Sequence, residues 1–276
     1  MKILSTRARA KEGSRAEVLS ELSLKSDIAE LRRCSFDPVY FISKYVKIFT
    51  AEGSVPCILT KVQEKLVRTS LEFQKLVVQH PRQAGITSGM LGFLLWETLF
   101  HGDRSTLIVA PNEMMQKHML EMLYEMYHYL PKILKVPLLR QSKTGFELDN
   151  FSSIEIKSAS SSNVGKGTSY STLYFSDLSC VKALDQERLF FELMPQAFGT
   201  RSKIIVSGVP NSHSASERML VFNKLCEQAE ITDAVWKLLK ITGSEVYGAG
   251  LEHKYGEYLE YCGKAKADAE ILGIRQ

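Results

Sequence analysis

Between residues 75 and 88 the chain reads KLVVQHPRQAGITS. An apolar strand-like run, a tight polar loop and an apolar helical stretch follow one another, which is the order of a phosphate-binding loop. Backbone N–H groups and a helix N-terminus together set up a field for a polyphosphate. The full pattern is G-x-x-x-x-G-K-[ST]. Gly85 matches its second glycine and Thr87 its Mg²⁺-binding hydroxyl, while His80 stands in the first glycine's place and Ile86 in the lysine's. Isoleucine brings neither charge nor hydrogen bond and favours burial. On these residues alone, a phosphate cradle and a plain strand-to-helix turn both stand. The second candidate is the apolar run Thr172–Phe175, which ends in Ser176-Asp177. An acidic pair at a strand's end is what an ATP-hydrolysing site uses, one carboxylate for the metal and one for the attacking water. Here Ser176 occupies the first position, and Asp177 alone is acidic. A lone aspartate after a strand also serves as a helix cap.

The elements that must hold these residues alternate along the chain. Strands are expected at Leu76–Gln79, Thr106–Ala110, Phe146–Leu148, Ser153–Lys157, Thr172–Phe175 and Lys203–Ser207. Helices are expected at Lys61–Glu72, Thr87–Phe100, Asn112–Leu130, Asp185–Phe198, Ser214–Ala229 and His253–Leu272. Met115, Met119, Met122 and Met126 recur at helical spacing and read as a core stripe. This β–α alternation predicts an α/β fold, a mostly parallel sheet with helices on both faces. The first 33 residues carry eight Lys/Arg and five Asp/Glu and read as a helical arm.

Composition narrows the function. The 276 residues are 45% hydrophobic and 24% charged, enough apolar content for a substantial core without cross-links. No stretch approaches the ~20 apolar residues of a membrane span, and the polar N-terminus does not read as a signal peptide. The five cysteines are widely spaced, and the six histidines show no ligand spacing, so neither zinc nor haem is expected. A net charge of +4 permits an acidic partner without requiring one.

Taken together, the segments resemble the ATPase domain of tailed-bacteriophage large terminases, the T4-like type above all, in order from about Asp37 to Asn211, roughly two-thirds of the chain. DPVYFISKYVKI resembles the family's aromatic N-terminal segment. KVQEKLV resembles its adenine-recognition motif, with Gln63 as the matching glutamine and Val62 where an aromatic is common. PRQAGITS resembles its S/P-R-Q-x-G-K-T-[ST] phosphate loop through Arg82, Gln83, Gly85, Thr87 and Ser88. Lys166-Gly167 falls where an Arg-Gly pair is usual, and RSKIIVSGVPN resembles the coupling motif through Ser207, Pro210 and Asn211.

The resemblance implies a P-loop NTPase fold of the ASCE type, a three-layer sandwich with a mostly parallel central sheet and a small helical subdomain. It divides the chain into an arm at 1–36, the ATPase core at 37–211 and a helical segment at 212–276 that completes or caps the core. It implies Mg·ATP as ligand, with Thr87 and Asp177 toward the metal and Asp177, Arg82 and Lys166 as catalytic candidates. Viral DNA, other terminase subunits and the portal are the implied partners, and the bacterial host cytoplasm the implied location.

Two departures qualify the activity. The loop lysine is Ile86 and the metal-binding aspartate is Ser176, so two charges that act electrostatically on Mg·ATP are missing. Loss of either costs on the order of 10²–10³ in rate. The expectation is a terminase-like, degenerate ATPase fold that works by binding DNA, nucleotide or a packaging partner. The alternatives are an active motor in which Arg82 or Lys166 replaces the lysine, and a structural descendant that binds neither. No nuclease is expected. The acids after Asn211, from Glu217 to Asp268 and Glu270, fall mostly on helical faces and read as solvated surface.

Overall fold

Successive side chains of a strand point to opposite faces, so a strand that is apolar at every position needs a core on each side. Leu76 and Val78 enter one apolar cluster, and Val77, between them, enters the other. Tyr174 and Phe175 split in the same way. The computed structural model describes residues 24–50, 53–162, 164–165, 169–198, 202–210, 221–231 and 235–273. Among these it shows a sheet of eight strands between two helical layers.

Helix α1 (24–36) leads into α2 (Pro38–Tyr45), which Asp37 caps through the Tyr40 N–H and Pro38 opens. A hairpin of β1 (Lys47–Thr50) and β2 (Gly53–Pro56) follows, with α3 (Lys61–Glu72) after it. Then come β3 (Lys75–Gln79), α4 (Ile86–Phe100), β4 (Ser105–Ala110) and α5 (Glu113–His128). Strands β5 (Leu138–Gln141), β6 (Gly145–Leu148), β7 (Ser153–Ser158) and β8 (Thr172–Phe175) precede α6 (Ala183–Phe198). The chain continues through β9 (Lys203–Gly208), α7 (Val221–Ala229) and β10 (Lys237–Lys240). It ends in α8 (Gly243–Tyr247), α9 (Leu251–Cys262) and α10 (Lys264–Ala267), which runs into a π-helical turn at Asp268–Leu272.

The strand order is β10-β3-β9-β8-β4-β7-β6-β5. Every pair from β10 to β7 is parallel, and β6 and β5 add an antiparallel margin. One core holds α2, α3, α4 and α5 against the sheet, with Met119 and Met126 of the methionine stripe buried in it. The other holds Leu189, Leu193 and Met194 of α6 and Phe222, Leu225 and Cys226 of α7.

All six expected strands are present, most extended by a residue at an end. The part after residue 211 differs from its all-helical reading. It supplies β10, whose Lys237–Lys240 pair in register with Leu76–Gln79. The expected helix over His253–Leu272 is broken at Gly263, whose φ of +78° is left-handed. The arm before residue 24 and the start of the expected helix at Ser214 lie outside the described residues.

Candidate functional site

Parallel strands aim their C-terminal ends at one edge of the sheet, and ligands bind in the crevice there. At this edge β3 ends, the His80 N–H still reaches Gly208 O at 3.1 Å, and the loop 80–85 turns the chain into α4. Two residues of the turn have positive φ, Gln83 at 58° and Gly85 at 70°. At Gly85 a side chain is excluded twice over: the φ is left-handed, and a Cβ would lie 2.6 Å from Gln63 Nε2.

The start of α4 differs from the starts of α2, α3 and α5. Asp37, Thr60 and Asn112 cap α2, α3 and α5 through side-chain oxygens. Gly85 gives α4 no side-chain cap. A cap is worth about 1 kcal/mol, and its absence leaves the first N–H groups of α4 open to an anion. Thr87 and Ser88 sit half-buried on this first turn. Ile86 is 3% exposed and belongs to the apolar core cluster that also holds Val62, Leu66 and Met90. The lysine position has therefore become part of the hydrophobic support beneath the loop.

Gln63 is buried and fully engaged. Its Oε1 accepts the Thr60 N–H at 2.9 Å, completing a capping box with Thr60 Oγ1, and its Nε2 donates to Gly85 O at 2.9 Å. It links the start of α3 to the loop. A cavity of about 150 Å³ opens beside it, lined by Thr60, Gln63, Gln83, Gly85, Glu245 and Val246.

Across the crevice β8 ends at Phe175. Ser176 continues the ladder by donating its N–H to Val109 O at 2.9 Å. Its hydroxyl is fully buried and approaches the Tyr174 phenol without a well-formed hydrogen bond. Asp177 adopts φ +46° and starts a short 3₁₀ turn, Leu178–Cys180, that its side chain does not cap. The cap alternative for this carboxylate therefore fails. Its Oδ1 lies 3.5 Å from His80 Nε2. His80 is buried, and its Nδ1 is 2.8 Å from Pro81 O, a pure acceptor, so Nδ1 carries a proton and Nε2 faces the carboxylate. Ser207, at the end of β9, ties the coupling strand to this point. Its Oγ accepts the Asp177 N–H at 3.2 Å and shares a hydrogen bond with the Tyr174 hydroxyl at 3.0 Å. Burial first, and then the charge of Asp177, push the Tyr174 phenol well above its ordinary value. Pro210 is buried just beyond, after Val209 donates its N–H to Ser179 Oγ at 3.0 Å.

Arg82 is held by the C-terminal segment. Its N–H donates to Glu270 O at 2.7 Å, its carbonyl accepts the Tyr247 hydroxyl, and its Nε lies 2.9 Å from Glu270 Oε2. Burial works against the guanidinium charge, but the Glu270 carboxylate together with Cys180 and Tyr258 outweighs it and leaves the pKa above its ordinary value. The solvated reading of the late acids is corrected here: Asp268 and Glu270 are buried, the first under the Tyr255 hydroxyl at 2.7 Å and the second on the loop.

The structure thus brings Gln63, Arg82, Gln83, Gly85, Thr87, Ser88, Asp177, Ser207 and Pro210 to one edge. Lys166 and Asn211 lie outside the described residues. Three residues that the motifs did not single out belong to the same edge: His80, Tyr247 and Glu270. His80 was visible only as a failed glycine. Nothing in the sequence signalled the other two.

No family model matches the chain. Solved structures with the same fold are phage large terminases. The ATPase domain of the Thermus phage P74-26 large terminase aligns at 13% identity with a TM-score of 0.63, over 77% of this chain and 92% of that domain. The HK97 bacteriophage large terminase aligns at 13% identity with a TM-score of 0.68, over 87% of this chain. The large terminase of a thermophilic bacteriophage in complex with ATP-γ-S aligns at 11% identity with a TM-score of 0.55, over 78% of this chain. The chain spans 55% and 52% of the length of the last two. At these identities the likeness shows the fold alone, an α/β sandwich with a mostly parallel central sheet of the form seen in those terminase ATPase domains. No helix among the described residues is long and apolar enough to cross a membrane.

Proposed function

We propose that this chain is a terminase-like protein of viral DNA packaging whose nucleotide site is catalytically degenerate, and that it acts by binding. The observation that supports this most is a preserved cradle without its charges. The left-handed Gly85 and the uncapped α4 keep the geometry of a phosphate loop, while Ile86 is folded into the core and Ser176 is buried without a well-formed hydrogen bond. Nucleotide phosphate, viral DNA and other packaging proteins such as the small subunit or portal are the ligand classes in this reading, and the host cytoplasm is its setting.

The donor set fits Mg·ATP only in part. Thr87 and Asp177 are the oxygen donors that would hold Mg²⁺, and the second acid is replaced by a buried hydroxyl. Bound Mg²⁺ would screen the phosphate charge. The chain's own residues would hold the phosphates with the N–H groups of Gly85 to Ser88 and keep Asp177 fixed through Ser207 and His80. Phosphoryl transfer depends on charge stabilisation at the transferred group, and the loop offers no lysine for it.

The test is calorimetric titration of Mg·ATP together with a hydrolysis assay, on wild type and on Ser176→Asp. Wild-type turnover is expected at the assay floor. Turnover within tenfold of an active packaging motor overturns the degenerate reading. Arg82→Ala then decides whether Arg82 carries that activity in the lysine's place, the second reading, which its position on the loop supports.

A further inference from the structure

Two basic side chains of the loop already face carboxylates. His80 faces Asp177 at 3.5 Å, and Arg82 pairs with Glu270 at 2.9 Å. The second pair comes from a segment far along the chain that reaches back onto the loop's first half. Glu270 O takes the Arg82 N–H, Tyr247 donates to Arg82 O, and Gln79 Nε2 donates to Gly273 O at 2.8 Å. The fit is close. Gly273 adopts φ +69° and presses so near that a Cβ would lie 3.2 Å from Pro81 Cδ and 2.8 Å from Ile241 O. Gly243 admits no side chain either, since its Cβ would lie 2.2 Å from Ile271 O.

The attachment of this segment is uneven. Residues 267–271 are buried, and they include all but the last residue of the π-helical turn, a geometry concentrated at functional positions. Helix α9, which leads to them, buries no residue at all, and Leu259 and Tyr261 on it are exposed. The segment is therefore anchored at the loop and loosely seated behind it.

We propose that residues 268–273 form an autoinhibitory strap, with Glu270 standing on the phosphate loop as a built-in anion that a nucleotide phosphate must displace from Arg82. Carboxylate and phosphate compete for the same guanidinium by the same charge-assisted hydrogen bonds. With no loop lysine, Arg82 is the strongest base on the loop, so pairing its charge with Glu270 removes the main attraction for phosphate. The sign of the effect is what sets a strap apart from a support. If Glu270 were there to orient Arg82 for a ligand, removing its charge would weaken binding; as a competitor, removing its charge strengthens it. The proposal rests on the phosphate-loop reading above.

The test uses the full chain and two probes, Mg·ATP and inorganic pyrophosphate, titrated by calorimetry into wild type, Glu270→Gln, Arg82→Ala and the double variant. Glu270→Gln is expected to bind both probes about tenfold more tightly than wild type, because releasing a charge-assisted pair corresponds to about one decade. Arg82→Ala in the Glu270→Gln background is expected to abolish the gain. Equal or weaker binding by Glu270→Gln, or no binding by any variant, overturns the strap. A gain with ATP that pyrophosphate lacks also overturns it, since it places the effect at the base. If Glu270→Gln does not fold by circular dichroism, Gln79→Ala carries the test, with a gain of about threefold expected from the loss of the hydrogen bond that holds the strap at Gly273 O and no gain overturning the proposal. Wild-type turnover decides the degenerate reading and the ratio of variant affinities decides the strap, so each can fail alone.

Discussion

The two ends of the central sheet each bury a polar cluster, and they treat it in opposite ways. At the N-terminal edge Lys203 opens β9, Thr172 opens β8, and Glu97 comes from α4. Thr172 Oγ1 donates to Glu97 Oε2 at 2.9 Å, Lys203 Nζ lies 3.9 Å from Glu97 Oε1 and donates to Ser70 O, and the Phe93 ring sits beneath the ammonium. These three groups all have partners, although the neighbouring Thr106 hydroxyl on β4 is buried without one. At the C-terminal edge Ser176 Oγ and His80 Nε2 are buried without a well-formed hydrogen bond, and the N-terminus of α4 is uncapped. A buried polar group that is satisfied supports the fold, and one left open costs free energy. The Lys203 cluster therefore supports the fold, whereas the open groups around Asp177 cost stability beside the proposed nucleotide site.

The largest effect expected from this contrast is at the N-terminal edge. Lys203→Met leaves the Glu97 carboxylate buried without its cation, and a loss of about 3–5 kcal/mol in urea unfolding is expected. A loss under 1 kcal/mol would show that the pair contributes nothing and would break the contrast. Next is the loop's support. Ile86→Ala empties a core site that is 3% exposed, and about 2–4 kcal/mol should be lost. Near-neutral behaviour in thermal unfolding would return Ile86 to the cradle. The third expectation opposes two hydroxyls. Thr172→Val should cost about 1 kcal/mol by removing a satisfied bond, whereas Ser176→Ala should be neutral or stabilising by up to about 1 kcal/mol. Equal losses would mean that Ser176 is as well satisfied as Thr172.

The smallest effect is one of pH. Burial lowers the Lys203 pKa below its ordinary 10.5, and Glu97 offsets this only in part. The unfolded chain therefore holds this proton to higher pH than the folded one, so stability rises with pH from the shifted value up to 10.5. Buried tyrosines such as Tyr174 and Tyr127 act in the opposite direction at still higher pH, because their raised pKa values keep them neutral in the fold. Subtracting the profile of Lys203→Met isolates the lysine. A difference profile that falls across that window contradicts a depressed Lys203.

Much of this was readable from residue order. The central strands carry continuous apolar runs, Leu76–Val78, Leu107–Ala110, Leu173–Phe175 and Ile204–Val206, long enough to stand out, and the run from Gln79 to Thr87 carries its turn in its glycine. Four strands were not foreseen, β1, β2, β5 and β10, each four residues long. LLRQ and KLLK have charged or polar positions and no clean alternation, so periodicity has nothing to act on. In the site, the loop, Asp177 and Ser207 were legible because each sits next to a strand end. The His80–Asp177 and Arg82–Glu270 pairs were not, because both join residues that only the folded topology brings together. Glu270 also looked like any acid on a helical face, and the chain's change to a π-helical turn there has no compositional mark.

The same two unforeseen strands, β5 and β10, form the margins of the eight-stranded sheet. An open margin offers a row of unpaired N–H and C=O groups to any neighbouring chain, and short strands bearing Lys or Arg are a usual defence. Here both margins are four residues long; β10 has lysine at each end, and β5 carries Arg140 with Lys143 just beyond. Copies of this molecule are thereby guarded against stacking margin to margin into a continuous ribbon.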